Sequence, residues 1–204
     1  LYVYDLKGKE LYSYQIGKVN NVDVRYNFKI GNELVDLVAC SNRTLNGLTI
    51  MKINKETRAL EQIMIREILI DTTELDDVYG FCFYHSKQSD KLFAFINGKN
   101  GNIQQWEVFA AKDSKVDVKL VRKFNVNSQP EGMVADDEKA TLYVGEEGHG
   151  LWKFDAEPSG NDERELIFHV DSIQDAVRDI EGVSIYYAAE GEGYIIVSSQ
   201  GNFA

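Results

Sequence analysis

Residues Gln129–Glu138, QPEGMVADDE, set a carboxylate and a glycine at the mouth of an apolar run, and Arg178–Gly193, RDIEGVSIYYAAEGEG, does so again. Glu131-Gly132 and Glu181-Gly182 stand 50 residues apart (131 to 181). Working backwards, DVYGFCFY around Tyr79 and NVDVRYNF around Asp23 give similar frames, at spacings of 52 (79 to 131) and 56 (23 to 79). After each frame come a turn and a second apolar run: LVDLVACSNR, KLFAFINGKNG, TLYVGEEGHG and YIIVSSQGN. The first three are followed by a third run, LTIMKIN, IQQWEVF and LWKFD.

Short alternating or apolar runs separated by frequent turn residues are the pattern of an all-β chain. Only two prolines occur, against 16 glycines, 11 tyrosines and 10 phenylalanines in 204 residues. A repeat of about fifty residues holding about four strands is the signature of a β-propeller blade, a unit that must stack on neighbours to bury both faces. An irregular sandwich is the alternative. The opening LYVYDLKGKELYSYQIG reads as the third and fourth strands of a blade, and the closing YIIVSSQGNFA as the second strand of another. These halves either join into a four-bladed ring or belong to a larger propeller; the second is preferred, as one domain over 1–204 truncated at both ends, with about four blades' worth present. DSIQDAVRD can form one or two helical turns capped by Asp171 or Ser172, and IREILIDTTELDD is ambiguous.

A net charge of −11 argues against nucleic acid, whose backbone needs a basic surface. No apolar run is long enough to span a membrane. Cys40 and Cys82 lie in apolar runs without metal spacing and read as buried thiols. His85 and His169 read as surface or strand residues, while His149 follows Glu146-Glu147 and has the reach to approach a site. No serine elbow, phosphate loop or zinc helix is present.

In a blade, the start of the inner strand and the loop after the second strand meet at the same end of the channel. The first unit places Asn20, Asn21, Asp23 and Arg43 there, and the second Asp76, Asp77, Tyr79 and Lys99. The third places Glu131, Glu146 and Glu147, and the fourth Asp179, Glu181, Gln200 and Asn202. Cations thus collect on one side and carboxylates on the other. Converging carboxylates need a cation to remain ionised, and hard oxygen donors suit calcium. Arginine and lysine beside them suit phosphate. Together they suit metal-assisted phosphoryl hydrolysis. Asp136-Asp137-Glu138 and Glu190-Glu192 read as solvated turns at the opposite end of the blade.

GKVNNVDVRYNF, ACSNR, DDVYGFCFYHS, NGKNG, FNVNSQPEGMVADDEKATLYVGEE, LWKFDAEP and DIEGVSIYYAAEGEGYIIVSSQGN carry a resemblance over nearly the whole chain. It resembles the β-propeller phytases, calcium-dependent bacterial phosphatases that hydrolyse phytate (myo-inositol hexakisphosphate) to lower inositol phosphates and orthophosphate. The resemblance implies a six-bladed propeller with several calcium ions at one end of its channel. It implies phosphate binding by Arg43 and Lys99, with Asn100 in the substrate site where the family usually has glutamate. Tyr79, Glu131, Asp179 and Glu181 match catalytic positions, and the same four with Glu147 match the calcium cluster, where a calcium-bound water attacks phosphorus. His149 stands where an acidic residue is common. A monomeric, secreted or periplasmic enzyme is implied, with phytate as partner and neither nucleic acid nor membrane. The alternative is a propeller that binds ligand without turnover.

Overall fold

The computed structural model describes residues 1–172, 178–189 and 191–200. Consecutive segments pair as antiparallel meanders, so each sheet is a continuous stretch of chain. A two-stranded sheet comes first, β1 (Tyr2–Tyr4) and β2 (Glu10–Ser13). The next sheet orders β3 (Val19–Ile30), β4 (Glu33–Asn42), β5 (Gly47–Ile53) and β6 (Leu60–Gln62), with β7 (Ile68–Leu69) also pairing β5. The third orders β8 (Val78–Ser86), β9 (Lys91–Gly98), β10 (Asn102–Ala110) and β11 (Val116–Asn125). The fourth orders β12 (Pro130–Asp136), β13 (Thr141–Glu146), β14 (Gly150–Asp155) and β15 (Arg164–His169). The last pairs β16 (Ile180–Tyr187) with β17 (Gly193–Ser199).

The third sheet shows why the sequence stacks. Side chains alternate across a strand. Phe81, Phe83, Ala94 and Ile96 therefore join Leu37, Leu48 and Ile50 of the second sheet in one core. Cys82, Tyr84, Phe93 and Phe95 join Met133, Leu142 and Phe154 of the fourth in another. Both faces are buried, which accounts for the unbroken apolar runs YGFCFYH and KLFAFIN. The first strands β3, β8, β12 and β16 pack side by side in chain order. Their residues jointly line a cavity of about 420 Å³, among them Asp23, Phe81, Met133 and Val183. These are blades around a channel. The architecture is all-β and of the propeller type, not a sandwich.

Each inner strand breaks register at the same place. Pairing jumps between Val19 and Val22, Val78 and Phe81, Pro130 and Met133, and Ile180 and Val183. A bulge re-aims the side chains it carries, and here it carries Asn20-Asn21, Tyr79-Gly80, Glu131-Gly132 and Glu181-Gly182. The partner of Tyr79 in the first full blade is therefore Asn20, three residues before Asp23, and the true spacing is 59 (20 to 79). Gly80 and Gly132 permit the neighbouring blade to close up. A Cβ on Gly80 would lie 1.8 Å from the Glu131 carbonyl oxygen, and one on Gly132 2.1 Å from that of Glu181.

Among the described residues, β1–β2 and β16–β17 remain separate sheets, so the halves do not join into a four-bladed ring. The ambiguous IREILIDTTELDD supplies β7 and turns. Asp171 and Ser172 lie in a short 3₁₀ turn, Val170–Ser172, while the rest of the expected helical turns at 173–177 lies outside the described residues, as do Glu190 and Asn202.

Candidate functional site

Four equivalent residues leave the second strands at one end of the channel. The N–H of Arg43 donates to Lys18 O, that of Lys99 to Asp77 O, that of Glu147 to Gln129 O and that of Gln200 to Asp179 O, at 2.8, 3.4, 3.0 and 3.0 Å. Each thus closes back over the start of its own inner strand. Arg43, Lys99 and Glu147 in this way face the bulge residues Asn20, Tyr79, Glu131 and Glu181.

The basic half centres on the Tyr79 ring. The Arg43 guanidinium carbon lies 5.5 Å from the ring centroid and Lys99 Nζ 4.6 Å from it, within cation–π range. Asp77 holds both cations. Its Oδ1 accepts Arg43 Nε at 3.0 Å, its Oδ2 accepts Arg43 Nη2 at 2.5 Å, and Lys99 Nζ lies 3.6 Å from Oδ2. The hydrogen bond from Arg43 keeps the Asp77 carboxyl below its ordinary range. A planar guanidinium held along one edge presents the other to an incoming oxyanion.

The acidic half is made of Glu131, Glu147, Asp179 and Glu181, whose charges act on one another. Burial raises the Glu181 carboxyl to about 7, helped by a hydrogen bond shared with Glu131 and by the charges of Glu131, Asp179 and Glu147. Burial also raises Glu147, against the hydrogen bond it accepts from Gln129 Nε2 at 2.5 Å. The Tyr79 hydroxyl joins this half: burial and a hydrogen bond to Glu131 push it well above its ordinary value. Glu131 is 8% exposed. Its Oε1 accepts Asn20 Nδ2 at 3.3 Å and its Oε2 is buried with no partner.

Other expected residues are placed elsewhere. Glu146 turns away from the channel, where Ser128 N and Oγ and Trp152 Nε1 donate to it at 3.0, 2.5 and 2.6 Å. His149 stacks on the Trp152 ring at 5.1 Å and meets His169 edge-on at 4.6 Å, so it supports the outer strands and not the carboxylates. Asn100 spends its amide on structural contacts, donating to Glu74 O at 3.2 Å in the segment before β8 and accepting Asn102 N at 3.3 Å in its own turn. Asp76 caps the same loop by accepting Asn100 N at 2.9 Å.

Asp23 lies deeper in the channel wall. It pairs with Arg25 at 2.9 Å and accepts Phe83 N at 2.8 Å, and burial raises its carboxyl above the ordinary range. Asp137 completes that clip, taking Arg25 Nε at 3.1 Å and His85 N at 3.0 Å. Asp136 is buried and caps its turn through Glu138 N and Lys139 N. Neither is the solvated turn residue expected. His85 pairs with exposed Asp90, and both cysteines are buried and free, as expected. Asn20 was placed at this end without a partner, whereas Gln129 was missed because an amide carries no charge signal in the sequence.

The donor set fits a hard cation: four carboxylates of which one has an orphaned buried oxygen and two are raised by burial and mutual repulsion. Among the described residues no three acidic, histidine or cysteine side chains are already gathered around one point.

A family model described as Phytase matches residues 1–204. The chain is also 42% identical over 204 residues to the 3-phytase of Bacillus subtilis (strain 168), covering 99% of this chain and 53% of that protein. It therefore spans about half the length of the curated relative it matches.

Proposed function

From the premise that the chain belongs to the phytase family, we propose that it carries the catalytic end of a calcium-dependent phosphomonoesterase that releases orthophosphate from phytate. One observation supports this above the rest: a pair of held cations, Arg43 and Lys99, faces a set of mutually repelling carboxylates across a single tyrosine.

Arg43 and Lys99 bind the anionic phosphoryl oxygens, Arg43 along the edge that Asp77 leaves free. The Tyr79 ring fixes the height of both cations, and its hydroxyl orients Glu131. Glu131, Glu147, Asp179 and Glu181 would hold calcium, with Tyr79 beside them. Bound there, calcium supplies charge neutralisation of the phosphate and activation of water. Asn100 serves the substrate only by exchanging its loop contacts. On the same reading the protein is a secreted or periplasmic monomer, acting on a small molecule with neither nucleic acid nor membrane as partner. No helix among the described residues is long and apolar enough to cross a membrane.

The test is orthophosphate release from phytate by the full-length polypeptide, with calcium and with excess EDTA. Release that EDTA abolishes is the expected result. A second reading, a propeller that binds inositol phosphates without turnover, draws on the carboxylates not being gathered around one point. It predicts phytate binding that survives EDTA, with no phosphate released under either condition.

A further inference from the structure

Asn97, near the end of β9, is fully buried at 0% exposed, and a buried amide in a native protein is held by hydrogen bonds. Its Oδ1 accepts the Gly80 N–H at 2.7 Å, and its Nδ2 donates to the Glu131 carbonyl at 3.0 Å. A backbone N–H needs an acceptor and a carbonyl needs a donor, so only one orientation of the amide satisfies both. Gly80 lies in the bulge of β8 beside Tyr79, and Glu131 lies in the bulge of β12. One side chain therefore ties together the two bulges that bear these residues. The joint is tight as well, since a Cβ on Gly80 would come within 2.5 Å of Asn97 Nδ2.

The equivalent positions in the other blades are Ser41, Gly145 and Ser198. Ser41 Oγ donates across the interface to the Tyr79 carbonyl at 2.5 Å. Ser198 Oγ accepts Gly182 N at 2.8 Å within its own sheet. Gly145 has no side chain to offer. Asn97 alone of the four makes both kinds of bond, and it does so at the interface where the basic and acidic halves meet.

We infer that Asn97 is a positioning residue for this site, fixing the Glu131 carboxylate against Tyr79 by holding the backbone of both bulges. The inference rests on the function proposed above. Asn97 touches neither substrate nor ion, and acts through Glu131.

Asn97→Ser in the full-length polypeptide leaves one shorter hydroxyl in place of the two amide atoms that span Gly80 N and Glu131 O, so that the two bulges are no longer held by separate atoms. Ser86→Ala, at the opposite end of β8, is the control: it removes a buried hydroxyl bonded to Glu157 at 2.8 and 3.0 Å. Both are assayed at a temperature where circular dichroism shows them folded. Asn97→Ser is expected to lower kcat about tenfold to a hundredfold, with KM for phytate changed less than about threefold. Calcium binding to the substrate-free protein should weaken about tenfold, with Ser86→Ala matching the parent in all three.

Parental kcat and calcium affinity in Asn97→Ser, or equal losses in the control, overturn the inference. Should the serine variant not fold, the isosteric Asn97→Asp keeps the acceptor for Gly80, loses the donor to Glu131 and is held to the same comparison. A parent that releases no phosphate counts against the proposed function instead, and the calcium titration then decides for Asn97.

Discussion

Glu131 offers one oxygen to Asn20 and leaves the other buried without a partner, beside a Glu181 raised to about 7. That arrangement is costly in a protein that binds no cation, because buried charge needs compensation. Glu131→Gln and Glu181→Gln should each lower phosphate release from phytate on the order of a hundredfold or more in the full-length polypeptide. In excess EDTA neither should melt below the parent, since each removes a repelling charge. Parental turnover in either purified variant would sink the assignment.

Cys40 and Cys82 test the same scale from the core. Burial pushes the Cys40 thiol up to about 11 and Cys82 well above its ordinary value, so a thiol-reactive chromophore at pH 8 should label neither until denaturant is added. Rapid labelling of the native chain would contradict the packing. The placement of the glutamates and the two cations at one end was legible in sequence because a carboxylate before glycine repeats at the strand mouth and a charge repeats after the second apolar run. Asn20 was named among the residues at this end, but Asp23 was taken as the frame residue, because its charge is the louder signal and the bulge that displaces it leaves no mark in composition.

At the scale of the element, the recurring device is a bulge followed by glycine. Glycine at this place was readable as close approach, but the register jump that makes Asn20, Tyr79, Glu131 and Glu181 equivalent exists only once strands are paired. The approach is to backbone, which cannot swing aside. Gly132→Ala should therefore separate β12 from β16 and destabilise by about 1–3 kcal/mol, read as a lower urea midpoint. Gly148→Ala, where a Cβ meets nothing within 4 Å, should shift the midpoint by less than about 0.5 kcal/mol. Equal effects at the two positions would mean that the blades are not in contact through their inner strands. The second strands were equally readable as apolar runs, whereas the cross-blade bonds of Ser41 and Asn97 were hidden inside them.

For the whole molecule, a net charge of −11 is concentrated by topology and not merely spread over the surface. Carboxylates from β12, from the end of β13 and from the start of β16 meet where the fourth sheet faces the last one. An ion bound among Glu131, Glu147, Asp179 and Glu181 would join the two sheets, and unfolding would have to release it. Ligand linkage then sets the size of the effect: one site at a hundred times its Kd adds about 2.7 kcal/mol, which in a chain of this size raises Tm by roughly 5–10 °C. Calcium should therefore raise the melting temperature of the protein over that in EDTA, and Glu181→Gln should lose most of the gain while keeping its melting temperature in EDTA. Asp23→Asn, which alters the deeper clip with Arg25, should keep the gain whatever it does to the baseline. A calcium effect that survives in Glu181→Gln and vanishes in Asp23→Asn would move the ion from the mouth of the channel into its wall, and with it the chemistry assigned to this end.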